Sequence, residues 1–369
     1  MNTGVRLFRA VLSFVYAIYK LLPVKNKVTF ISRQSNVPSM DVEMLTKQIS
    51  ADIPDCKTVV LFKKIEGKAA YLFHMVFQQL YHIATSKVIV LDSYCIAISL
   101  LQHRSSLKVI QMWHALGAYK KFGKSILDKQ EGTSSVVASA MQMHYGYDVI
   151  LTSSDYCKPF LGEAFGYPEE AFRVIPLPRT DRLRSKSYMS SERELIVAAY
   201  PKLSEKINIL YAPTMRKTGD QTAEIEQLIS MVDYAKYNLI LSLHPLVQNR
   251  VNTGDAIVPD GFTSMELLSV CDIFITDYSA MIYEAAVMKK PIYLYTYDLD
   301  TFTKERGFYL DPQIELPVHP AESVQELLEQ IDNRVCQTED VEHFSNKYVA
   351  NNKSCTKDIV YLIRDLLYN

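Results

Sequence analysis

The sequence predicts an α/β protein built from two doubly wound, parallel-sheet domains, and three observations carry that reading. Short apolar, β-rich runs alternate with helix-like segments: KVTFIS, KTVVLF, KVIVL, LKVIQM, DVILT and FRVIP in the first half, INILY, NLILSL, DIFIT and PIYLY in the second. Consecutive runs lie too far apart for hairpins, so crossovers must join them and the strands must run parallel. A polar stretch, TDRLRSKSYMSSEREL, separates the two series. Three divisions are expected: an N-terminal amphipathic segment over 1–25, a first Rossmann-like domain over 26–185, and a second over 186–369. An amphipathic segment at about Thr356–Leu367 reads as a closing helix. It could pack on either domain and is assigned to the second.

The opening segment is basic as well as apolar. Residues 1–40 contain Arg6, Arg9, Lys20, Lys25, Lys27 and Arg33 and no acid. LFRAVLSFVYAIYKLL places Leu7, Val11, Phe14, Val15, Ile18 and Leu22 on one helical face. The uncharged run between Arg9 and Lys20 covers only residues 10–19, half of the ~20 apolar residues that span a bilayer. A helix lying on an anionic leaflet is expected, against the alternative of a helix docked on the protein's own surface. No small-residue cleavage site follows the apolar run, which argues against a secretory signal.

Composition narrows the function classes. At 369 residues each domain can bury its own core. Apolar residues make up 48%, charged residues 22%, and the net charge is −1, so there is no basic excess of the kind that wraps nucleic acid. Cys56, Cys95, Cys157, Cys271, Cys336 and Cys355 show no CxxC spacing. That disfavours a structural zinc site and a disulfide framework, and fits a reducing cytoplasm.

In doubly wound folds ligands sit at the carboxyl ends of strands, and a cleft between two such domains is the default site. Four polar clusters follow strand-like runs. His114 follows LKVIQM, in WHALGAYKKFG, with Gly117, Lys120 and Lys121 close behind. Thr214, Arg216 and Lys217 follow INILY after Pro213, which stops the ladder. His244 follows NLILSL before Pro245, and Thr276, Asp277 and Ser279 end DIFIT. Arginine offers a planar fork of donors to phosphate oxygens. Asp277 and Ser279 are expected to cap a helix over AMIYEAAVMKK, whose free amides and dipole would cradle an anion. Glu284, one turn into that helix, would reach a ribose hydroxyl. His114 is the candidate base for an acceptor hydroxyl, since a neutral imidazole accepts a proton at cytoplasmic pH. Trp113 is expected to pack in the core.

Taken together these segments resemble the CDP-glycerol glycerophosphotransferase family, the teichoic acid primases and polymerases. The resemblance spans about residues 107–312: WHALGAYKKFG is similar to the family's WHGTPLKK, GYPEEAFRVIPLPRTD to its segment ending PRND, YAPTMR to YAPTWR, DIFITDYSAMIYE to TDYSSVMFD, and TYDLDTFTKERGFYLD to YDLDxYxxxRGFYxD. The chain departs where Ala115, Leu116 and Gly117 replace Gly-Thr-Pro and where Ala280 replaces the second Ser of TDYSS.

The resemblance implies a GT-B-like fold whose second domain holds the CDP-alditol. It implies His114 as catalytic base, Arg216 and His244 facing the diphosphate, with His244 grouped among the catalytic residues. Thr214, Thr276, Asp277, Ser279 and Glu284 would then lie along the donor, and Gly117, Lys120 and Lys121 along the acceptor. The expected reaction transfers glycerol phosphate, slightly preferred over ribitol phosphate, from the CDP-alditol to an undecaprenyl-diphosphate-linked saccharide and releases CMP. It would take place at the cytoplasmic face of the membrane. No tightly bound cofactor and no protein-held metal are expected, with a divalent ion carried by the nucleotide left open. The short N-terminal region points to a primase or short-chain transferase. A nucleotide-sugar glycosyltransferase on the same architecture is the nearest alternative, and a non-catalytic membrane-surface scaffold is the alternative from another class.

Overall fold

A computed structural model of the chain describes residues 3–216 and 220–369. Every strand-like run of the sequence becomes a strand, and the strands form two separate parallel sheets. The first sheet holds β1 (Lys27–Ser32), β2 (Lys57–Phe62), β3 (Val88–Leu91), β4 (Lys108–Gln111), β5 (Val149–Thr152) and β6 (Phe172–Val174), in the order β2-β1-β3-β4-β5-β6. The second holds β7 (Ile207–Tyr211), β8 (Tyr237–Leu241), β9 (Ile273–Thr276) and β10 (Ile292–Leu294), in the order β10-β9-β7-β8. Central strands such as VIVL are buried along their whole length. Helices cover both faces of a parallel sheet, which is why these runs read as continuously apolar rather than alternating.

Each order contains one reversal. In the first sheet it lies between β1 and β3, which pair Ile31 with Leu91. In the second it lies between β7 and β9, which pair Tyr211 with Ile275. Crossovers leave these points in opposite directions, so the loops beyond the strand ends diverge and open a crevice.

The chain divides into two compact units: Met1–Leu116, Lys121–Asp181 and Ala350–Asn369 make the first, Gly117–Lys120 and Arg182–Val349 the second. The closing helix, Cys355–Tyr368, therefore belongs to the first unit and not to the second, as the sequence assignment had it. Asp181 explains the docking. Its carboxylate accepts from the backbone N–H groups of Cys355 (2.8 Å) and Thr356 (2.9 Å) and from the Thr356 hydroxyl (2.6 Å), satisfying donors that a helix start leaves open.

The N-terminal helix α1 (Thr3–Tyr19) docks on the first unit by one face and leaves an apolar stripe exposed on another. Leu12 and Tyr16 are buried, and the Tyr16 hydroxyl lies 2.9 Å from His103 Nδ1, so one face docks on the first unit. Burying two such side chains contributes about 1.5–3 kcal/mol each. The stripe Leu7, Val11, Phe14 and Ile18 stays exposed, at 67, 53, 69 and 51%. No helix among the described residues is long and apolar enough to cross a membrane.

Candidate active site

In the first unit, strand β4 delivers His114 through a strained turn. Trp113 adopts the left-handed region (φ 60°), which a bulky residue avoids unless its surroundings fix it. Here its ring stacks on Phe122 at 4.7 Å and meets Phe165 edge-on at 5.2 Å, while its backbone N–H donates to Gln111 Oε1 at 2.9 Å. Trp113 thus packs on neighbouring rings but stays half-buried, short of the core position expected for it. His114 Nδ1 lies 2.8 Å from the carbonyl oxygen of Asp92. A carbonyl only accepts, so Nδ1 carries the proton and Nε2 keeps its lone pair. Burial pushes the imidazole pKa down to about 4; the bond to Asp92 acts the other way, and Arg179 and Arg33 push it down again. At neutral pH His114 is an uncharged base.

Around it the ends of β1 and β3 gather polar groups. Asp92 is buried, and burial pushes its carboxyl up to about 6 against the pull of the Ser32 and Ser93 hydroxyls. Gln34 Nε2 stands 3.5 Å from His114 Nδ1. Arg179 is held by the buried Asp41, with its N–H at 2.8 Å and Nε at 2.9 Å from the carboxylate. The PRTD run thus has a structural task at both ends: Arg179 fixes helix Met40–Asp52, and Asp181 fixes the closing helix.

In the second unit, Arg216 ties the ends of β7 and β9 to the loop after β10. Its Nε and Nη2 grip Asp298 at 2.7 and 2.9 Å, and Nη1 donates to Asp277 Oδ2 at 2.7 Å and to the Thr214 carbonyl at 2.8 Å. Asp277 also accepts the Thr214 N–H at 2.8 Å. The guanidinium lies 4.9 Å over the Tyr278 ring, and the Tyr278 hydroxyl donates to Asp298 at 2.9 Å. Burial lowers the Arg216 pKa, but Asp277 and Asp298 outweigh it and hold the group cationic. Thr276, fully buried, donates its hydroxyl to the Ala212 carbonyl at 2.7 Å and locks β9 to the end of β7.

The helix expected over residues 280–290 runs only from Ile282 to Val287 and has no side-chain cap. Asp277 does not cap it, because its carboxylate is engaged by Arg216 and Thr214 instead. Ser279 Oγ accepts the Met281 N–H at 3.2 Å, and Glu284 is buried on the helix. His244 is exposed, and its Nδ1 accepts the Leu246 N–H at 3.3 Å. Nε2 then carries the proton, so His244 presents a donor where His114 presents an acceptor.

The loop after His114 is divided between the units. Lys120 Nζ donates to Thr214 Oγ1 at 3.3 Å, and Tyr119 and Lys120 pair along the backbone with Tyr309 and Phe308. Lys121 belongs to the first unit, where it pairs with Glu163 at 3.5 Å. Gly117 was expected to bring backbone close to a substrate. A Cβ there would stand 2.3 Å from the Tyr283 ring, so the glycine admits that ring. Lys217 lies outside the described residues.

With this geometry in place, comparison with known proteins decides the family. The sequence model of the CDP-glycerol:poly(glycerophosphate) glycerophosphotransferase family matches residues 14–363. The chain belongs to that family. It is 32% identical over 362 residues to the teichoic acid ribitol-phosphate primase of Bacillus spizizenii, covering 94% of this chain and 92% of that protein. It is 31% identical over 272 residues to the teichoic acid glycerol-phosphate primase of Bacillus subtilis, covering 72% and 68%. Among solved structures, the wall teichoic acid polymerase TagF superposes with a TM-score of 0.77 at 19% identity, over 99% of this chain and 97% of that one. The fold class is α/β, GT-B-like, and the chain is an enzyme of the CDP-alditol phosphotransferase type.

Several residues that the structure brings together are not singled out in the sequence. Asp298, Tyr278 and Phe302 complete the Arg216 cluster, the last by stacking on Tyr278 at 4.1 Å. The YDLDxYxxxRGFYxD resemblance could have found Asp298 and Phe302, since both fall inside it. Asp92, Arg33 and Gln34 carry no motif, and strand pairing alone brings them to His114. A cavity of about 810 Å³ lies elsewhere in the second unit, lined by residues such as Ile314, His319, His343 and Phe344, and includes none of the strand-end residues.

Proposed function

We propose that the chain is a primase-type alditol phosphotransferase, moving ribitol phosphate or glycerol phosphate from its CDP ester to a membrane lipid-linked saccharide and releasing CMP. The observation that carries the reading is the His114 imidazole, fixed by the Asp92 carbonyl with its Nε2 lone pair available, in a member of this family. The acceptor hydroxyl gives its proton to Nε2 as its oxygen attacks the β-phosphorus. The bond from that phosphorus to the bridging oxygen breaks, and CMP leaves with the electron pair. The strand ends of the first unit hold the acceptor and those of the second the CDP-alditol. His244 Nε2–H and the Lys120 ammonium donate to the diphosphate as charge builds. Arg216 and Asp277 hold the Thr214 loop in place, and Ser279 and Glu284 face the nucleotide end.

Ribitol is favoured as the alditol because the relative matched along 92% of its length is a ribitol-phosphate primase. The exposed stripe of α1, with Arg6 and Arg9 on the same helix, supports attachment to an anionic leaflet on the cytoplasmic side. One assay tests the core of the proposal. Purified protein with membrane-derived lipid acceptor is offered CDP-ribitol, CDP-glycerol, UDP-glucose and UDP-N-acetylglucosamine, and released nucleotide is identified. CMP from a CDP-alditol is expected. UDP from a sugar donor without CMP from either alditol would move the chain to the glycosyltransferases, and no release from any donor would favour the scaffold.

A further inference from the structure

We propose that Arg33 recognises an anionic phosphoester on the acceptor, beside the hydroxyl that attacks; this rests on the acceptor side of the reading above. Arg33 is the first residue after β1, at the reversal between β1 and β3 where a doubly wound sheet opens its crevice. Its backbone is fixed there. The Arg33 N–H donates to Ser93 Oγ at 3.3 Å, and the next N–H, of Gln34, donates to Ser32 Oγ at 3.0 Å. The side chain is half-buried, and its guanidinium lies 5.2 Å over the ring of Tyr94. Tyr94 is itself buried and anchored by its hydroxyl to the Met141 carbonyl at 2.7 Å. Stacking uses the face of a guanidinium and leaves its in-plane N–H groups for a second partner.

Among the described residues no acidic side chain supplies that second partner. No carboxylate among the described residues pairs with Arg33, whereas Arg179 is paired with Asp41, Lys121 with Glu163, and Arg216 with Asp277 and Asp298. Of the lysines expected to serve the acceptor, Lys120 belongs to the second unit, where it meets Thr214 on the donor side, and Lys121 pairs with Glu163. Arg33 is also close enough to His114 to depress its pKa, and its neighbour Gln34 stands 3.5 Å from the imidazole. A half-buried guanidinium beside the base, stacked but not ion-paired, suits a phosphate oxygen pair, which it can bind bidentately. An acceptor that ends in an alditol phosphate, or carries a phosphodiester next to its reactive hydroxyl, has that anion in place.

The test has two arms. Steady-state kinetics compare two synthetic acceptors with the same reactive hydroxyl, a phosphorylated one with a phosphodiester beside it and a dephosphorylated one in which a neutral ether replaces that phosphodiester, for wild type, Arg33→Gln and Arg33→Lys. Arg33→Gln is expected to raise KM for the phosphorylated acceptor about 10- to 100-fold, the scale of a lost charge-assisted hydrogen bond. KM for the dephosphorylated acceptor and for the CDP-alditol should stay within about twofold, and Arg33→Lys should recover only part of the loss. In the second arm, calorimetry follows sn-glycerol 3-phosphate binding to the full chain without donor. Wild type should bind it and Arg33→Gln should not. If no CDP-alditol supports turnover, the proposed reaction fails while a calorimetric difference still upholds Arg33 as an anion site. Equal binding of glycerol 3-phosphate by wild type and Arg33→Gln, or equal kinetic loss on both acceptors, overturns the assignment.

Discussion

Arg216 was expected to face the donor diphosphate, yet its guanidinium makes two ion pairs within the protein, and Arg216→Ala separates the two roles. Its side chain is 9% exposed, Asp277 1% and Asp298 24%. Removing one partner from a buried pair typically costs about 3–5 kcal/mol, because the charge left behind has neither water nor counterion. The lower end applies here. Asp277 keeps the Thr214 and Tyr278 N–H groups, and Asp298 keeps the Tyr278 hydroxyl and partial access to water. A loss of about 3 kcal/mol moves the midpoint of a domain of this size down by about 6–12 °C. Thermal unfolding of the full chain, followed by calorimetry, should show that shift on one transition. Donor KM should rise with it as the Thr214 loop loses its anchor. The double variant Arg216→Ala/Asp277→Asn should recover about 1 kcal/mol or more, since it removes the orphaned charge as well. If Arg216→Ala melts within 1 °C of wild type while donor affinity collapses, the clamp argument is wrong and the guanidinium belongs to the ligand.

His114→Ala should lower turnover about 100-fold or more with donor binding retained, the range a general base supplies. Because the folded His114 pKa is depressed to about 4, the base stays deprotonated well below its ordinary value. The acid limb of kcat/KM should therefore fall near pH 4, with activity lost as pH drops through that value. A limb at 6.5 assigned to His114 would contradict the burial seen here. On α1, replacing Leu7, Val11, Phe14 and Ile18 together by serine should release the protein from anionic vesicles without changing its melting point, whereas Leu12→Ala should cost about 2–4 kcal/mol. Unchanged vesicle binding by the serine variant would defeat the membrane reading of the stripe.

Strand positions were legible because a strand buried on both faces writes itself as a continuous apolar run, and all of those runs became strands. Strand order was not legible, and with it went the neighbours of His114. Asp92 and Arg33 lie far from it in sequence; Asp92 touches it, and Arg33 comes near enough for its charge to act on it, only because β1, β3 and β4 are adjacent. The cap expected at Asp277 failed for a related reason. An aspartate after a strand is a fair cap by local rules, but a buried arginine is a stronger partner than a backbone amide, and Arg216 arrives from another strand end.

The closing helix and the lysine pair show how far periodicity reaches. An apolar stripe over Cys355–Tyr368 says that the helix docks and gives no address. The address was written in Asp181, a residue read only as part of a motif, whose carboxylate receives the first donors of that helix. Lys120 and Lys121 are neighbours in sequence, and proximity alone suggested one shared task at the acceptor. Backbone pairing of Tyr119 and Lys120 with Phe308 and Tyr309 draws the first lysine to Thr214, while Glu163 keeps the second. That division leaves the acceptor side of His114 without the cations assigned to it from sequence, and it makes the arginine at the end of β1 the side chain to examine.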